Sequence, residues 1–276
     1  MKRVVSIVFF CLGLLVLSVQ PGLADSSSLS AFDNLSGSLS IAGGTAHIPV
    51  MKEAAKRIMT SNPDISITVA GGGSGVGVQK VGEGLVDIGN TGRPISAQEK
   101  EKYGLLSFAF AVDGVGVAVH PDNPVQDVSR EQVQAVFAGE ISSWKELGGP
   151  ERSINLYTRD EASGTRKVFW KKALGKGDVA VRANVVPSNG AMKVAVSRDK
   201  AAIGYLSIGH MDDSIARVAL DGVLPTQENA VDGSYTVIRK LYMNTKGEPS
   251  PLAQAFIDYV QGPAGAEIVS ESGFIP

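Results

Sequence analysis

The sequence predicts an α/β protein built of two lobes, and three observations support this. Segments with strand and helix patterns alternate along the chain, which favours sheets flanked by helices. Two long apolar segments, 108–119 and 235–243, are suited to cross from one lobe to the other. The length of 276 residues and the apolar fraction of 43% fit one large domain or two smaller ones with packed cores.

The chain begins with the pattern of an export signal. Lys2 and Arg3 precede an apolar run over 4–19, and small residues follow through Ala24. This order is typical of a secretory signal peptide. We therefore predict a signal peptide at 1–24 and an exported, periplasmic protein. A permanent membrane anchor is the alternative, but the run is on the short side for a span.

The remaining chain predicts the layout of the two lobes. Residues 25–37 contain many serines and are expected to form a flexible leader. Residues 38–112 together with 239–276 are expected to form the first lobe, and 113–238 the second. A cleft between two lobes is a common place for a ligand.

Strands are predicted where small and apolar residues alternate or form short apolar runs. These segments are 38–42, 65–70, 86–89, 154–158 and 202–207. Helices are predicted where apolar residues recur at helical spacing. These segments are 48–59, 129–137, 165–174, 190–197, 251–260 and 263–270. Ser129 and Gln132 have the spacing of a capping box, and Pro49, Pro251 and Pro263 stand in first turns, where proline is tolerated.

Composition argues against several function classes. The chain has 26 basic and 28 acidic residues, whereas proteins that bind duplexes carry a basic excess, so no nucleic acid partner is expected. Cys11 is the single cysteine and lies inside the predicted signal peptide, which removes disulfides and Cys ligands from the mature chain. His47, His120 and His210 share no metal-ligand spacing, so we expect no metal and no cofactor. His47 is expected to be structural or exposed rather than a ligand.

Three strand-to-helix loops share one chemistry. Residues 43–46, 72–75 and 162–165 each combine glycine with serine or threonine. Glycine lets backbone N–H groups approach a ligand, and a helix start leaves such groups unpaired with a partial positive charge. One serine or threonine at a helix start is usually only an N-cap. Three such loops, with Arg159 just before the third, indicate a site for an oxyanion.

With these residues the chain resembles the PstS-like family of type II solute-binding proteins, the periplasmic phosphate-binding proteins of bacterial phosphate ABC importers. The elements that carry the resemblance are Gly44-Thr45-Ala46 with Pro49, Gly73-Ser74, Asp87-Ile88-Gly89, Arg159 with Ser163-Gly164-Thr165, and Pro263-Ala264-Gly265. The resemblance implies the two-lobe periplasmic binding protein fold of type II. Each lobe would be a mixed or parallel sheet flanked by helices, and two hinge strands would join the lobes.

The resemblance also implies a function. The protein would capture inorganic phosphate in the cleft and deliver it to the permease subunits of an ABC-type membrane importer, as a monomer without enzymatic activity. The alternatives are an exported hydrolase of phosphate esters and a binding protein for another tetrahedral oxyanion such as sulfate. A sensor or adhesion role is a third possibility.

The phosphate ligands that the resemblance implies lie in the three loops and after Asp87. They are Gly44, Thr45, Ala46, Ser74, Thr91, Gly92, Arg159, Ser163, Gly164 and Thr165. Many family members have an acidic residue at the position of Gly92, and this acid accepts the proton of hydrogen phosphate. Our hypothesis is that the hydroxyl of Thr91 replaces the acid here. A backbone carbonyl near 90–92 is the alternative.

Overall fold

Strands and helices alternate in the computed structural model, which describes residues 28–276. The strands are β1 (Gly37–Gly43), β2 (Ile65–Gly72), β3 (Ile88–Thr91), β4 (Leu105–Val119), β5 (Asp127–Val128), β6 (Asn155–Arg159), β7 (Asn184–Val186), β8 (Ala202–Ser207), β9 (Ala216–Leu220) and β10 (Ile238–Lys246). The helices are α1 (Ile48–Ser61), α2 (Ser74–Gly82), α3 (Ala97–Tyr103), α4 (Arg130–Ala138), α5 (Gly164–Lys172), α6 (Asn189–Arg198), α7 (Gln227–Val231), α8 (Pro251–Gln261) and α9 (Pro263–Glu271). The predicted signal peptide lies outside the described residues and stays a prediction.

The segment before β1 is anchored at Phe32, although the sequence predicts a flexible leader over 25–37. The ring of Phe32 is completely buried in the core and meets Tyr259 edge-on, with 5.8 Å between ring centroids. Asn62 donates from Nδ2 to the backbone oxygens of Phe32 and Leu35 at 2.8 and 2.9 Å. The apolar ring and these hydrogen bonds hold the segment against α8 and the end of α1, although its composition is rich in serine.

One mixed sheet contains most of the strands. Along it the order is β2-β1-β3-β10-β4-β8-β6-β7, and β9 pairs with β4 and with β5. β1 runs parallel to β2 and β3, and β6 runs parallel to β7 and β8. Parallel neighbours need crossover connections, and helices such as α1 supply them, as the alternating pattern predicts. β4 and β10 run antiparallel to each other in the middle of the sheet.

The buried apolar side chains form two large clusters, which we call the first core and the second core. The first core joins β1 and α1 to α8 and α9 near the end of the chain. The second core is built by α4, α5, β6 and β8, and in it the rings of Phe169 and Tyr205 stack with 4.2 Å between centroids. Each buried side chain of this size contributes roughly 1.5–3 kcal/mol.

β4 and β10 pass from one core to the other. Along β4, Ala111 belongs to the first core and Val115 to the second. Just before β10, Val237 belongs to the second core, and Leu241 within the strand belongs to the first. The two long apolar segments therefore behave as the sequence predicts. Among residues 28–276, no helix is both long and apolar enough to cross a bilayer.

Candidate functional site

The three glycine-containing loops meet at one small cavity that encloses no more than about 180 Å³. Sites for drug-sized ligands typically enclose ~300–1,000 Å³, so this cavity suits a small ion. It is lined by Gly44, Thr45, Ala46, His47, Gly73, Ser74, Gly92, Arg159, Ser163, Gly164, Thr165 and Arg239. Every ligand residue expected from the sequence is in this set except Thr91.

The first loop follows β1 and leads through the turn Thr45–His47 into α1. Gly43 has φ +126°, and an added Cβ would collide with the backbone of Asn90, so only glycine fits where the chain turns. The Thr45 hydroxyl oxygen accepts hydrogen bonds from the backbone nitrogen and Nδ2 of Asn189, at 3.3 and 3.1 Å. Because both lone pairs are used, Thr45 can offer a ligand only its O–H proton.

The second loop places Ser74 at the start of α2, with Gly73 before it at φ +89°. The Ser74 hydroxyl oxygen accepts from the backbone nitrogen of Gly92 at 3.0 Å. Gly75 donates its backbone N–H to the carbonyl of Ala162 at 2.9 Å, which joins the second loop to the third. The Ser74 hydroxyl thereby keeps its proton for an acceptor in the cavity.

The third loop ends at the start of α5. Ser163 is the N-cap of this helix, and its hydroxyl oxygen accepts from the backbone nitrogen of Arg166 at 3.2 Å. The common capping role therefore holds here, and it still leaves the O–H proton of Ser163 as a donor. An added Cβ on Gly164 would collide with the Ser74 hydroxyl, so a glycine at this position allows the two helix starts to meet.

Arg159 lies almost completely buried at the end of β6, with 1% of its surface exposed. Its Nη2 donates to the carbonyl of Pro187 at 2.9 Å, and its carbonyl accepts from Arg166 at 2.7 Å. Its Nε and Nη1 are buried without a hydrogen-bond partner in the protein. Burial lowers the pKa of Arg159, and the charge of Asp160 opposes that shift. Two N–H donors of one buried guanidinium are thus available to an anion.

The sequence reasoning missed a second arginine at the cavity, Arg239 on β10. Its Nε and Nη2 donate to one carboxylate oxygen of Asp113 on β4, at 2.9 and 2.7 Å, and Ser207 donates to the other at 2.8 Å. Burial raises the pKa of Asp113, while the contacts from Arg239 and Ser207 lower it. The sequence did contain a signal for this ion pair. Asp113 and Arg239 are charged residues of opposite sign, one in each of the two apolar crossing segments.

Arg239 explains why position 92 is a glycine. An added Cβ on Gly92 would lie 2.6 Å from Nη1 of Arg239, which is too close unless the guanidinium moves. The space next to Gly92 is therefore occupied by a cation that Asp113 compensates. In the part of the chain that the structure describes, no carboxylate lines the cavity.

The structure argues against the hypothesis that Thr91 replaces the acid. Thr91 is fully buried outside the cavity lining. Its hydroxyl donates to the carbonyl of Arg93 at 2.8 Å and accepts from Nδ2 of Asn244 at 3.1 Å. Because Thr91 lies outside the cavity lining and its hydroxyl is bonded to Arg93 and Asn244, we correct the assignment of Thr91 as a ligand.

Of the possibilities for His47, which were a structural, an exposed or a cleft-lining residue, the structure excludes exposure: the side chain is completely buried and lies at the cavity wall. Its Nε2 lies 3.1 Å from the carbonyl oxygen of Thr91. Burial, together with the nearby charge of Arg239, lowers the pKa of His47 to about 3. The imidazole is therefore neutral at any ordinary pH.

Between residues 28 and 276, no group of three or more His, Cys, Asp or Glu side chains is arranged to hold a metal ion.

The arrangement is a cavity of hydrogen-bond donors. Four hydroxyl side chains, three helix starts and two guanidinium groups converge on it. Such a set binds an oxyanion through local dipoles and charges and needs no net positive charge on the protein. The geometry and the fold thus define a solute-binding protein for a small oxyanion.

Comparison with known proteins gives the family. Residues 30–264 match the family model described as PBP superfamily domain. The phosphate-binding protein PstS of Bacillus subtilis is 38% identical over 258 residues, which cover 92% of this chain and 85% of that protein. The PstS of Pseudomonas aeruginosa PAO1 is 28% identical over 95% of this chain and 88% of that protein.

Solved structures of similar proteins point to the same family. A phosphate-bound substrate-binding protein from Clostridium perfringens, assigned to a phosphate ABC transporter, is 34% identical with a TM-score of 0.82, and the match covers 87% of this chain and 99% of that one. An ABC-type phosphate transport receptor from Vibrio cholerae is 30% identical with a TM-score of 0.70 over 86% of this chain and 99% of that one. The chain belongs to the PBP superfamily and, within it, to the PstS-like family. The predicted family and fold class are confirmed.

Proposed function

We propose that this chain captures inorganic phosphate in the cavity and delivers it to an ABC-type membrane importer. The relatives from Bacillus subtilis and Pseudomonas aeruginosa are named as phosphate-binding proteins, and the Clostridium perfringens structure contains bound phosphate. These names support a binding protein over an exported hydrolase. The expected ligands are the predicted residues without Thr91, together with Arg239.

The observation that carries the proposal is the donor character of a small, buried cavity. The hydroxyls of Thr45, Ser74 and Ser163 already accept protein hydrogen bonds, so each has a proton to donate. Nε and Nη1 of Arg159 have no acceptor in the protein. A tetrahedral oxyanion supplies acceptors in several directions at once and would satisfy these donors.

The two cores support capture by closing lobes. We propose the lobes as 38–112 with 239–276, and 113–238, with β4 and β10 as the hinge. Contacts across the cleft, from Asn189 to Thr45 and from Gly75 to Ala162, then belong to the closed form that the permease recognises. We propose further that the protein is an exported monomer with its signal peptide removed after Ala24. The mass of the protein purified from the cell envelope fraction tests the cleavage site.

The experiment is calorimetric titration of the protein with inorganic phosphate, comparing wild type with Arg159→Ala and Arg152→Ala. Arg152 is an exposed arginine away from the cavity, so its variant changes the net charge by the same amount. A hydrogen bond to a charged group contributes ~1.5–3 kcal/mol, so losing two raises Kd at least about 100-fold in Arg159→Ala. Arg152→Ala keeps the wild-type Kd. Equal affinity in the two variants would refute the site.

Incubation with a chromogenic phosphate ester tests the hydrolase alternative. A binding protein releases no chromophore at any protein concentration, and phosphate raises its Tm. Steady release that Arg159→Ala abolishes would instead identify an enzyme that uses the same cavity.

A further inference from the structure

The cavity wall contains one polar side chain whose chemistry differs from that of the others. The hydroxyls, the arginines and the helix starts all donate hydrogen bonds, and His47 is the neutral side chain among them with a ring nitrogen able to accept one. Hydrogen phosphate carries a proton of its own, which needs an acceptor, whereas sulfate at neutral pH carries none. A cavity that selects phosphate against sulfate therefore needs a hydrogen-bond acceptor for that proton.

The tautomer of His47 follows from its contact with Thr91. A carbonyl oxygen only accepts hydrogen bonds, so Nε2, at 3.1 Å from the Thr91 carbonyl, carries the ring proton. Burial lowers the pKa of the ring to about 3, so a second proton is absent. Nδ1 is then an unprotonated acceptor, and it is buried without a hydrogen-bond partner in the protein.

The position of Nδ1 is fixed by its neighbour Gly44. An added Cβ on Gly44 would lie 2.6 Å from Nδ1 and 2.7 Å from Cε1, so this edge of the ring lies against the first loop. Gly44 and His47 both line the cavity. The Nδ1 edge therefore lies against a residue that forms the cavity wall.

Two other side-chain oxygens, on Asn90 and Asp160, are also buried without a partner, but neither residue lines the cavity. The acceptors that the sequence suggests are engaged elsewhere or have no room. The Thr91 hydroxyl is bonded to Arg93 and Asn244 outside the lining. Asp113 is the nearest carboxylate to Arg239, and its two oxygens receive Arg239 and Ser207. A side chain at position 92 has no room beside Arg239.

We propose that Nδ1 of His47 accepts the proton of the bound phosphate and thereby selects phosphate against sulfate. This inference rests on the proposed function, because it assigns the specificity of the same cavity. Phosphate pairs its own proton with Nδ1, whereas sulfate brings an oxygen lone pair to an acceptor that stays unsatisfied. An unsatisfied buried polar group typically weakens a complex roughly 5- to 150-fold, which sets the expected discrimination.

The test measures Kd for phosphate and for sulfate in wild type and in His47→Gln. The glutamine amide can still donate to the Thr91 carbonyl in the manner of Nε2, but it places no acceptor where Nδ1 stands. We expect the phosphate Kd to rise roughly 5- to 150-fold, because its proton loses the acceptor. The sulfate Kd should not rise, because the unsatisfied acceptor is removed, so the ratio of the sulfate Kd to the phosphate Kd should fall sharply. His47→Asn, whose amide oxygen can take the place of Nδ1, should recover part of the ratio.

Three results would overturn the proposal. One is an unchanged ratio in His47→Gln while phosphate still binds. Another is a collapsed ratio in Thr91→Val with His47→Gln at the wild-type value, which would assign the acceptor to the Thr91 hydroxyl. The third is a wild-type protein that binds both anions equally. Failure of wild type to bind phosphate at all would refute the proposed function itself and this inference with it.

A measurement on the wild-type protein avoids any folding defect of the variants. In protein labelled with ¹⁵N at histidine, the Nδ1 resonance of His47 should shift when phosphate saturates the site, because a new hydrogen bond reaches an unprotonated ring nitrogen. Saturating sulfate should leave it close to its position in the ligand-free protein. A phosphate-saturated protein whose Nδ1 resonance has not moved would exclude His47 as the acceptor.

Discussion

At the scale of single residues, Gly92 leaves room for the guanidinium of Arg239 at the cavity. Gly92→Ala would place a methyl group 2.6 Å from Nη1 of Arg239, and the flexible guanidinium would move rather than the backbone. We expect phosphate to bind about tenfold more weakly, equivalent to about 1.4 kcal/mol. The free energy of unfolding should fall as well, because the guanidinium is bonded to buried Asp113. Calorimetry and chemical denaturation measure the two quantities.

The control for that substitution is Gly190→Ala in α6. The nearest atom to its added Cβ is the Ser188 hydroxyl oxygen at 3.8 Å, an ordinary contact. It should leave the phosphate Kd at the wild-type value. A Gly92→Ala variant with the same Kd as Gly190→Ala would mean that the position of Arg239 does not matter for binding.

His47 also makes stability depend on pH. The pKa of its ring falls from 6.5 when unfolded to about 3 when folded, so below pH 6.5 the unfolded chain binds more protons. The free energy of unfolding therefore falls as the pH falls, by up to about 1.4 kcal/mol per pH unit from this residue. Half-buried His210, whose pKa falls to about 4, adds in the same direction.

Denaturation curves at several pH values between about 6.5 and 4.5 test this dependence. His47→Gln should flatten the slope of unfolding free energy against pH, leaving the part due to His210. A variant with the wild-type slope would mean that the His47 ring titrates in the folded protein as it does in the unfolded one.

At the scale of elements, two serine N-caps separate stability from binding. Ser163 caps α5 at the cavity and Ser129 caps α4 away from it. Replacing either serine by alanine should lower the free energy of unfolding by ~1 kcal/mol. Only Ser163→Ala should also weaken phosphate binding, because it removes a hydroxyl donor. Parallel denaturation and titration of the two variants check this. Equal phosphate Kd values in the two variants would mean that Ser163 acts only as an N-cap.

Elements with a strong local signal were predictable from the sequence, and those that depend on pairing were not. The helix after Ser129 is capped by the predicted capping box, and the strand at 202–207 has the predicted bounds. β5 and β7 have two and three residues, and such short strands form because a neighbouring strand pairs with them. The capping box of Ser96 and Glu99, which begins α3, is also readable in the sequence, because serine precedes glutamate by three positions.

The same distinction explains the candidate site. The loops with glycine and hydroxyl residues were visible because each is contiguous in the sequence. Arg239 and Asp113 are directly opposite each other in β10 and β4, although 126 positions separate them along the chain. Asn189, which fixes the Thr45 hydroxyl, is likewise brought to the cavity only by the packing of α6.

At the scale of the whole molecule, phosphate should hold the two lobes together. The amide of Gly75 donates to Ala162 across the proposed cleft, whereas the amide of Ala219 donates to Gln126 within the second lobe. Phosphate should slow hydrogen exchange at Gly75 and leave Ala219 unaffected. NMR-detected exchange with and without phosphate measures both, and equal effects at the two amides would argue against a closing motion.

The path of the chain between the two cores also governs the order in which the protein matures. The second core is assembled from one continuous stretch, 115–237, whereas the first core needs Phe256 and Phe274 from the last part of the chain. During the export that we propose, with the amino end leading, the second lobe can therefore form early, while the first lobe waits for the carboxyl end. We expect chains truncated before α8 to keep a folded second lobe and to expose β1 and α1 to proteases.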